Sequence, residues 1–256
     1  MSVKNLFDLS GRVALITGGS RGLGLQMAEA LGELGAKVAL TARKQHELDA
    51  AQAHLEKQGI DVLTVAGDLS DRETIAPMAD RVLSHFGRVD ILVNNAGTTW
   101  GAPAEDYPDH AWDKVLNLNV DSLFFLTRHV ARQSMIPNGG GKVINIASIA
   151  GPKGSMGMQT IAYNTSKGAV INFTRALAAE WGPHNINVNA LCPGFFPSRM
   201  SSGVLEEVGS HVISRTPLGR LGGDEDLKGV VALFASDASR HMTGQYVAID
   251  GGFSIA

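Results

Sequence analysis

The sequence predicts an α/β fold in which one doubly wound parallel sheet, covered by helices on both faces, forms a single domain. Three observations predict it. Short β-branched runs alternate with longer stretches of helical spacing through most of the 256 residues. The short runs are continuously apolar, as expected of parallel strands buried on both faces. No low-complexity linker, charge block or long-period repeat breaks the alternation, so a single domain over 1–256 is the economical reading.

RVALIT (12–17) is the first expected strand, and a glycine-rich turn leads from it into a helix over 23–34. KVALT (37–41) is the second strand, followed by a helix over 45–58. DVLTVA (61–66) gives the third strand, after which Ser70, Asp71 and Thr74 supply a start for a helix over 71–86. DILVNN (90–95) and KVINIA (142–147) bracket a long helical stretch over 111–136. A helix over 163–181 leads to INVNAL (186–191), and a last helix over 224–235 leads to QYVAID (245–250).

Composition narrows the function class. With 44% hydrophobic and 18% charged residues, the chain is an ordinary globular protein with a large core. A formal net charge of -3 gives no footprint for nucleic acid. Cys192 is the sole cysteine and cannot close an intrachain disulfide, which suits a reducing interior. The apolar run over 13–17 is too short for a signal peptide or membrane span, so a cytoplasmic protein with no membrane partner is expected. The histidines show no metal-ligand spacing with carboxylate support, and no metal site is expected.

TGGSRGLG (17–24) lies directly after the first strand and opens the first helix. A dinucleotide pyrophosphate needs close backbone approach and the positive end of a helix dipole. Gly18, Gly22 and Gly24 remove side chains there, and the Ser20 hydroxyl offers a hydrogen bond. Ordinary turn glycines give the same pattern, but the position in the first strand–turn–helix unit is the one the chemistry requires. An acid usually holds the adenosine 2′-hydroxyl at the end of the second strand. Here that end reads Thr41-Ala42-Arg43-Lys44. With Arg21 in the loop, guanidiniums suit a 2′-phosphate, so NADP(H) is expected over NAD(H). The alternative is that Arg43 and Lys44 are solvated residues at a helix start.

IAYNTSKGAV (161–170) places Tyr163 and Lys167 four apart, on one face of a helix. A free tyrosine has a pKa of about 10 and exchanges protons poorly near neutrality. A nearby ammonium favours the phenolate, so Lys167 is expected to lower the pKa of Tyr163 for general acid–base work. Alone, this spacing is a weak motif. Ser148, at the end of the fifth strand, strengthens it, because ligand sites of parallel sheets open at that edge. Its hydroxyl could hold a substrate oxygen beside Tyr163, or it could be a plain strand-end hydroxyl.

Together these residues resemble the short-chain dehydrogenase/reductase family, end to end. TGGSRGLG is similar to its cofactor loop, NNAG (94–97) to its sheet-stabilising turn and CPG (192–194) to its carboxamide loop. The resemblance implies the Rossmann form of the doubly wound fold. It also implies hydride exchange between NADP(H) and a ketone or secondary alcohol. The implied catalytic set is Asn119 (in LNLNV, 116–120), Ser148, Tyr163 and Lys167. Tyr163 would move the proton, Ser148 orient the oxygen, Lys167 hold the ribose and Asn119 support a water leading to solvent. Implied cofactor contacts come from Gly18, Ser20, Arg21, Gly22, Leu23 and Gly24, from Arg43, and from Asp68 and Leu69. Further contacts come from Asn95, Ala96 and Gly97, and from Pro193, Gly194, Phe196 and Ser198, beside Tyr163 and Lys167. Ser198 is expected to replace the threonine that relatives often carry after the CPG loop.

Cys192 reads as a small core residue with no base partner. Trp100, Met156, Met158, Phe195, Phe196 and Met200 are expected to wall the substrate pocket, or to form a subunit contact. Motif detail resembles rhamnolipid-type β-ketoacyl reductases, and the overall pattern also resembles gluconate 5-dehydrogenases. A bulky apolar or 3-oxoacyl-like ketone is the expected substrate, with a sugar acid or polyol as the alternative. The ends of the flanking helices, MIPNGG (135–140) and WGPHN (181–185), carry no Lys or Arg, which weakens a carrier-bound substrate. Phe124, Phe125, Leu126 and the nearly charge-free C-terminal tail leave apolar surface to cover, and a homotetramer is expected.

Overall fold

The computed structural model describes residues 2–154 and 158–256. Met156 therefore lies outside the described residues, and so does its expected place in the pocket wall. Seven strands form one parallel sheet: β1 (Val13–Thr17), β2 (Lys37–Ala42), β3 (Val62–Ala66), β4 (Ile91–Asn94), β5 (Gly141–Ile146), β6 (Ile186–Pro193) and β7 (Tyr246–Ile249). Their spatial order is β3-β2-β1-β4-β5-β6-β7. The direction of winding reverses between β1 and β4, where Ile16 pairs with Val93. A crevice opens at such a reversal, beyond the carboxyl ends of the strands.

Each strand feeds both faces of the sheet. Ala14 and Ile16 pack under α2 (Gly22–Glu33), α3 (Gln45–Glu56) and α9 (Lys228–Ala235). Val13 and Leu15 face the core beneath α4 (Arg72–Phe86), α6 (Ser122–Val130) and α7 (Ile161–Trp181). Two-sided burial is why the five inner strands read as apolar runs, while the edge strands β3 and β7 are only partly buried. The expected start of α4 is present: the Asp71 side chain accepts from the Glu73 amide, and Gly87 closes the helix at φ 79°.

Three features depart from expectation. Residues 111–136 are not one regular helix. α5 (Asp109–Leu116) passes through a π-turn, Asn117–Asp121, into α6, and a second π-turn, Ala131–Met135, follows. A short helix, α1 (Val3–Leu6), precedes the sheet, and α8 (Ser202–Arg215) follows β6. α8 escapes a periodicity search because Val208 and Ile213 stand 37% and 38% exposed, which leaves no clean apolar stripe. Leu126 is also core at 1% exposure, while its neighbour Phe124 remains 40% exposed.

Candidate active site

Ser148, Tyr163, Lys167 and Asn119 converge at the carboxyl edge of the sheet. Ser148 lies two residues past β5, and Tyr163 and Lys167 occupy the first two turns of α7. Lys167 Nζ is 5.6 Å from the Tyr163 ring centroid and donates to the Ile146 carbonyl at 2.7 Å. The ammonium is thus anchored to the end of β5, next to Ser148.

Lys167 does not lower the pKa of Tyr163, contrary to expectation. Burial raises the phenol above its usual value, the Ser148 hydroxyl opposes this by hydrogen bonding, and the Cys192 sulfur adds to the rise. Burial likewise drives Lys167 down, to about 8. Both groups have lost water, and desolvation disfavours each charged form. The pair is tuned toward a neutral phenol, a proton donor. Cys192 is core, as expected, at 1% exposure, and burial pushes its thiol up to about 11.

Asn119 sits in the first π-turn and is buried. Its Oδ1 accepts from the Thr98 amide at 2.8 Å, while Nδ2 donates to the Thr98 carbonyl and to Ser166 Oγ, each at 2.9 Å. Its side chain is therefore a brace between the β4 loop and α7. Ser166 Oγ in turn donates to the Tyr163 carbonyl at 2.7 Å, so the brace reaches the turn that carries the phenol.

The glycine loop is shaped for close approach. Gly18 and Gly22 adopt φ of +62° and +53°, and a Cβ on Gly24 would stand 2.3 Å from the Gly18 carbonyl oxygen. Asn95 locks this loop to β4, donating through Nδ2 to the carbonyls of Thr17 at 2.9 Å and Gly18 at 3.1 Å. The Thr17 hydroxyl accepts from the Asn95 and Ala96 amides. Leu23 opens α2 beside the loop, and Gly97 faces Asn119 and Lys167, 3.2 and 3.6 Å from where its Cβ would lie.

The cations behave unevenly. Arg21 donates to Glu47 at 2.7 Å, Lys44 approaches the same carboxylate at 3.5 Å, and Arg199 at 3.8 Å. Arg43 is exposed. Glu47 was missed because it lies beyond the end of β2, in the first turn of α3. Its signal was an acid at helix position three, where the positive end of the dipole and two nearby cations hold it ionised.

Around the rim, Asp68 Oδ1 accepts from the Ser70 amide and hydroxyl, and Leu69 is buried beside it. Gly194 packs against Asp250, where a Cβ would come within 2.6 Å of the Asp250 Cβ, and so holds the Pro193-Gly194 turn to β7. Ser198 shares a 3.0 Å hydroxyl bond with Ser201 and accepts from its amide at 3.2 Å, acting in the turn that starts α8. Phe196 does not wall an open pocket: its ring is 5% exposed and packs on Gly222, whose missing Cβ makes the room. Phe195 instead stacks edge-on with Phe253 at 5.2 Å. A cavity of ≈ 410 Å³ is lined by Ala102, Pro103, Glu105, Met158, Thr160 and Asn164, among others, and by none of Ser148, Tyr163 and Lys167. Met158 is in its wall, whereas Trp100 and Met200 are not and stand 37% and 47% exposed.

The family model described as enoyl-(acyl carrier protein) reductase matches residues 18–254. The chain belongs to the short-chain dehydrogenase/reductase family. Gluconate 5-dehydrogenase of Gluconobacter oxydans (strain 621H) is 38% identical over 258 residues, covering 100% of both chains. The rhamnolipids biosynthesis 3-oxoacyl-[acyl-carrier-protein] reductase of Pseudomonas aeruginosa is 39% identical, covering 97% of this chain and 98% of the other. A gluconate 5-dehydrogenase from Burkholderia cenocepacia J2315, solved in complex with NADP and tartrate, superposes with a TM-score of 0.94 at 32% identity over all of both chains. The family acts on CH–OH and C=O groups, and a Ser-Tyr-Lys mechanism is typical of it. Membership accounts for the fold, and makes this protein an oxidoreductase.

Proposed function

We propose that this protein transfers a hydride between NADP(H) and a ketone or secondary alcohol, with Tyr163 as proton donor. The observation that carries the reading is the convergence of Ser148, Tyr163 and anchored Lys167 at the carboxyl edge of the sheet. The residues fit the dinucleotide: the Gly24 approach leaves no room for a side chain, and Arg21 is at hand for a 2′-phosphate. NADP in the Burkholderia relative supports the same choice. Gly18 to Gly24 and the Asn95-Ala96-Gly97 turn would hold the pyrophosphate and nearby ribose, with Asp68 and Leu69 toward the adenine. Pro193 and Gly194 would face the carboxamide. When bound, the nicotinamide supplies or accepts the hydride. Ser148 orients the substrate oxygen, and Tyr163 gives it a proton as the carbonyl is reduced. Lys167 holds a ribose hydroxyl from the floor, and Asn119 keeps the π-turn and Tyr163 in register.

The neutral walls of the cavity, Ala102, Pro103 and Met158, support a 3-oxoacyl-like or other bulky apolar ketone. Glu105 in its lining would repel a carboxylate. A sugar-acid or polyol reading rests on Gln159, Thr160 and Asn164 in the same wall and on the names of the gluconate relatives. Nicotinamide absorbance against β-ketoesters, aryl ketones and keto-sugar acids decides between them. The highest kcat/KM should fall among the uncharged ketones, and a clear preference for keto-sugar acids overturns that assignment. In the same assay, Arg21→Ala should weaken NADPH at least about tenfold, the scale of one charge-assisted contact, and leave NADH nearly unchanged. Equal loss for both cofactors would remove Arg21 from 2′-phosphate recognition.

A further inference from the structure

A second polar cavity, of ≈ 470 Å³, lies at the opposite end of the sheet, among the amino ends of β1, β4, β5 and β6. Lys142 and Ser148 are six residues apart along β5 and its extension, which places this cavity ~20 Å from the Tyr163 site. Its lining includes four cations, Arg12, Arg88, Lys142 and Arg240, and two carboxylates, Asp90 and Asp237. Both carboxylates are already engaged. Asp237 pairs with Arg12 at 2.7 Å, and Asp90 pairs with Arg88 while its other oxygen accepts from the Val13 amide at 2.9 Å. Four cations against two carboxylates leave an excess of two positive charges, borne by Lys142 and Arg240.

Lys142 is the unusual member. It is 6% exposed, and the one hydrogen-bond partner of its ammonium among the described residues is Asn187 Oδ1 at 2.7 Å. An ammonium has three donors, and a buried one costs free energy unless they are satisfied. Burial pushes this lysine down to about 8, with Asp237 opposing and Arg12 adding to the fall. The hydride-transfer site uses none of these groups. Gly140, at φ +154°, lets the 138–141 turn close against Asn185, and of the lining cations Lys142 is buried whereas Arg240 is exposed.

We propose that this cavity binds a phosphate-class oxyanion, seated on Lys142 and reached by Arg240 and Arg88. A cavity of this size accepts a phosphate group together with a small organic body. The site is distinct from the glycine loop, which lies at the other end of β1.

Titration calorimetry on the NADPH-saturated protein tests it, with inorganic pyrophosphate and ribose 5-phosphate as probes. Saturation keeps the glycine loop occupied. Binding of at least one probe is expected, weakened about tenfold or more by Lys142→Gln and also by Arg240→Gln, and weakened further by added salt. Pyrophosphate alone binding identifies a free inorganic anion as the ligand, and tighter ribose 5-phosphate identifies a phosphorylated metabolite. Arg240 is exposed, so its substitution remains informative if Lys142→Gln fails to fold. Absence of binding by both probes overturns the proposal. So does binding that neither substitution weakens.

Discussion

Burial pushes Tyr163 and Lys167 toward their neutral forms, the phenol upward and the ammonium down to about 8. A phenol held protonated is suited to donating to a carbonyl oxygen, so reduction is the direction its protonation state favours. Tyr163→Phe should therefore cost ~10²–10⁴ in kcat, the range of a lost general acid, with the Kd for NADPH nearly unchanged. Retention of most of the turnover by folded Tyr163→Phe would remove the phenol from the chemistry. The oxidation rate should rise with pH as the phenol ionises. Lys167 adds a second, opposite limb. Its charge is present below about pH 8 and lost above it, so NADPH affinity should weaken as pH climbs through that value. Fluorescence titration of NADPH at several pH values measures this directly, and Lys167→Met should flatten the profile.

The glycine loop shows at the level of one turn how backbone shape and packing separate. Gly22 needs glycine for its φ of +53° but has open space around it, whereas Gly24 stands against the Gly18 carbonyl and Asn95 Nδ2. Gly22→Ala should cost ~1 kcal/mol through the left-handed backbone alone. Gly24→Ala must move the turn itself, at 2.3 Å from Gly18 O, and should cost ~1–3 kcal/mol of overpacking. It should also weaken NADPH binding, because the displaced carbonyl belongs to the cradle. Urea denaturation with NADPH titration on both variants provides the comparison, and equal effects from the two would show that close packing at Gly24 is unimportant. The first π-turn works at the same level. One extra residue in the helix lets Asn119 turn to brace Thr98 and Ser166, instead of facing along a regular helix.

Over the whole molecule, two buried lysines set a stability trend with pH. Lys142 and Lys167 titrate near 8 when folded and near 10.5 when unfolded, so between these values the unfolded chain holds more protons. Stability then rises with pH. Cys192 offsets about one lysine's share of the rise once the unfolded thiol ionises near 9, because the folded thiol stays protonated to about 11. From pH 8 to 9 the unfolding free energy should increase by ~1 kcal/mol per lysine. Denaturant unfolding across this window checks the sign, and Lys142→Met should remove about half of the slope. Assembly belongs to this level too. Phe124 and Trp112 stand 40% and 38% exposed on the α5–α6 face, and Tyr246 and Ile255 stand 39% and 89% exposed near the C-terminus. Two separate apolar faces are what a tetramer with two kinds of contact requires. Light scattering at micromolar concentration should return four times the monomer mass, and a monomer would refute the assembly.

All seven strands were legible within two residues, from 12–17 for β1 to 245–250 for β7. For the five inner strands burial on both faces leaves a purely local signature of apolar residues, and the edge strands β3 and β7 keep the same β-branched composition though only partly buried. The glycine loop, Ser148 and the Tyr163–Lys167 spacing were legible for the same reason: each is a short pattern at a defined place in a strand–helix unit. α8 and the π-turns were not, since the first lacks an apolar stripe and the second depend on a side-chain bridge from Asn119 to Thr98 and Ser166. Charge fared worst. Glu47 meets Arg21 only because β1 and β2 lie side by side, and four cations from separate strand ends share one cavity only in the folded sheet. The direction of the Tyr163 shift was likewise decided by tertiary structure. Spacing on a helix brings the ammonium near, but the loss of water around the phenol depends on what packs over it, and desolvation outweighs the opposing hydrogen bond from Ser148.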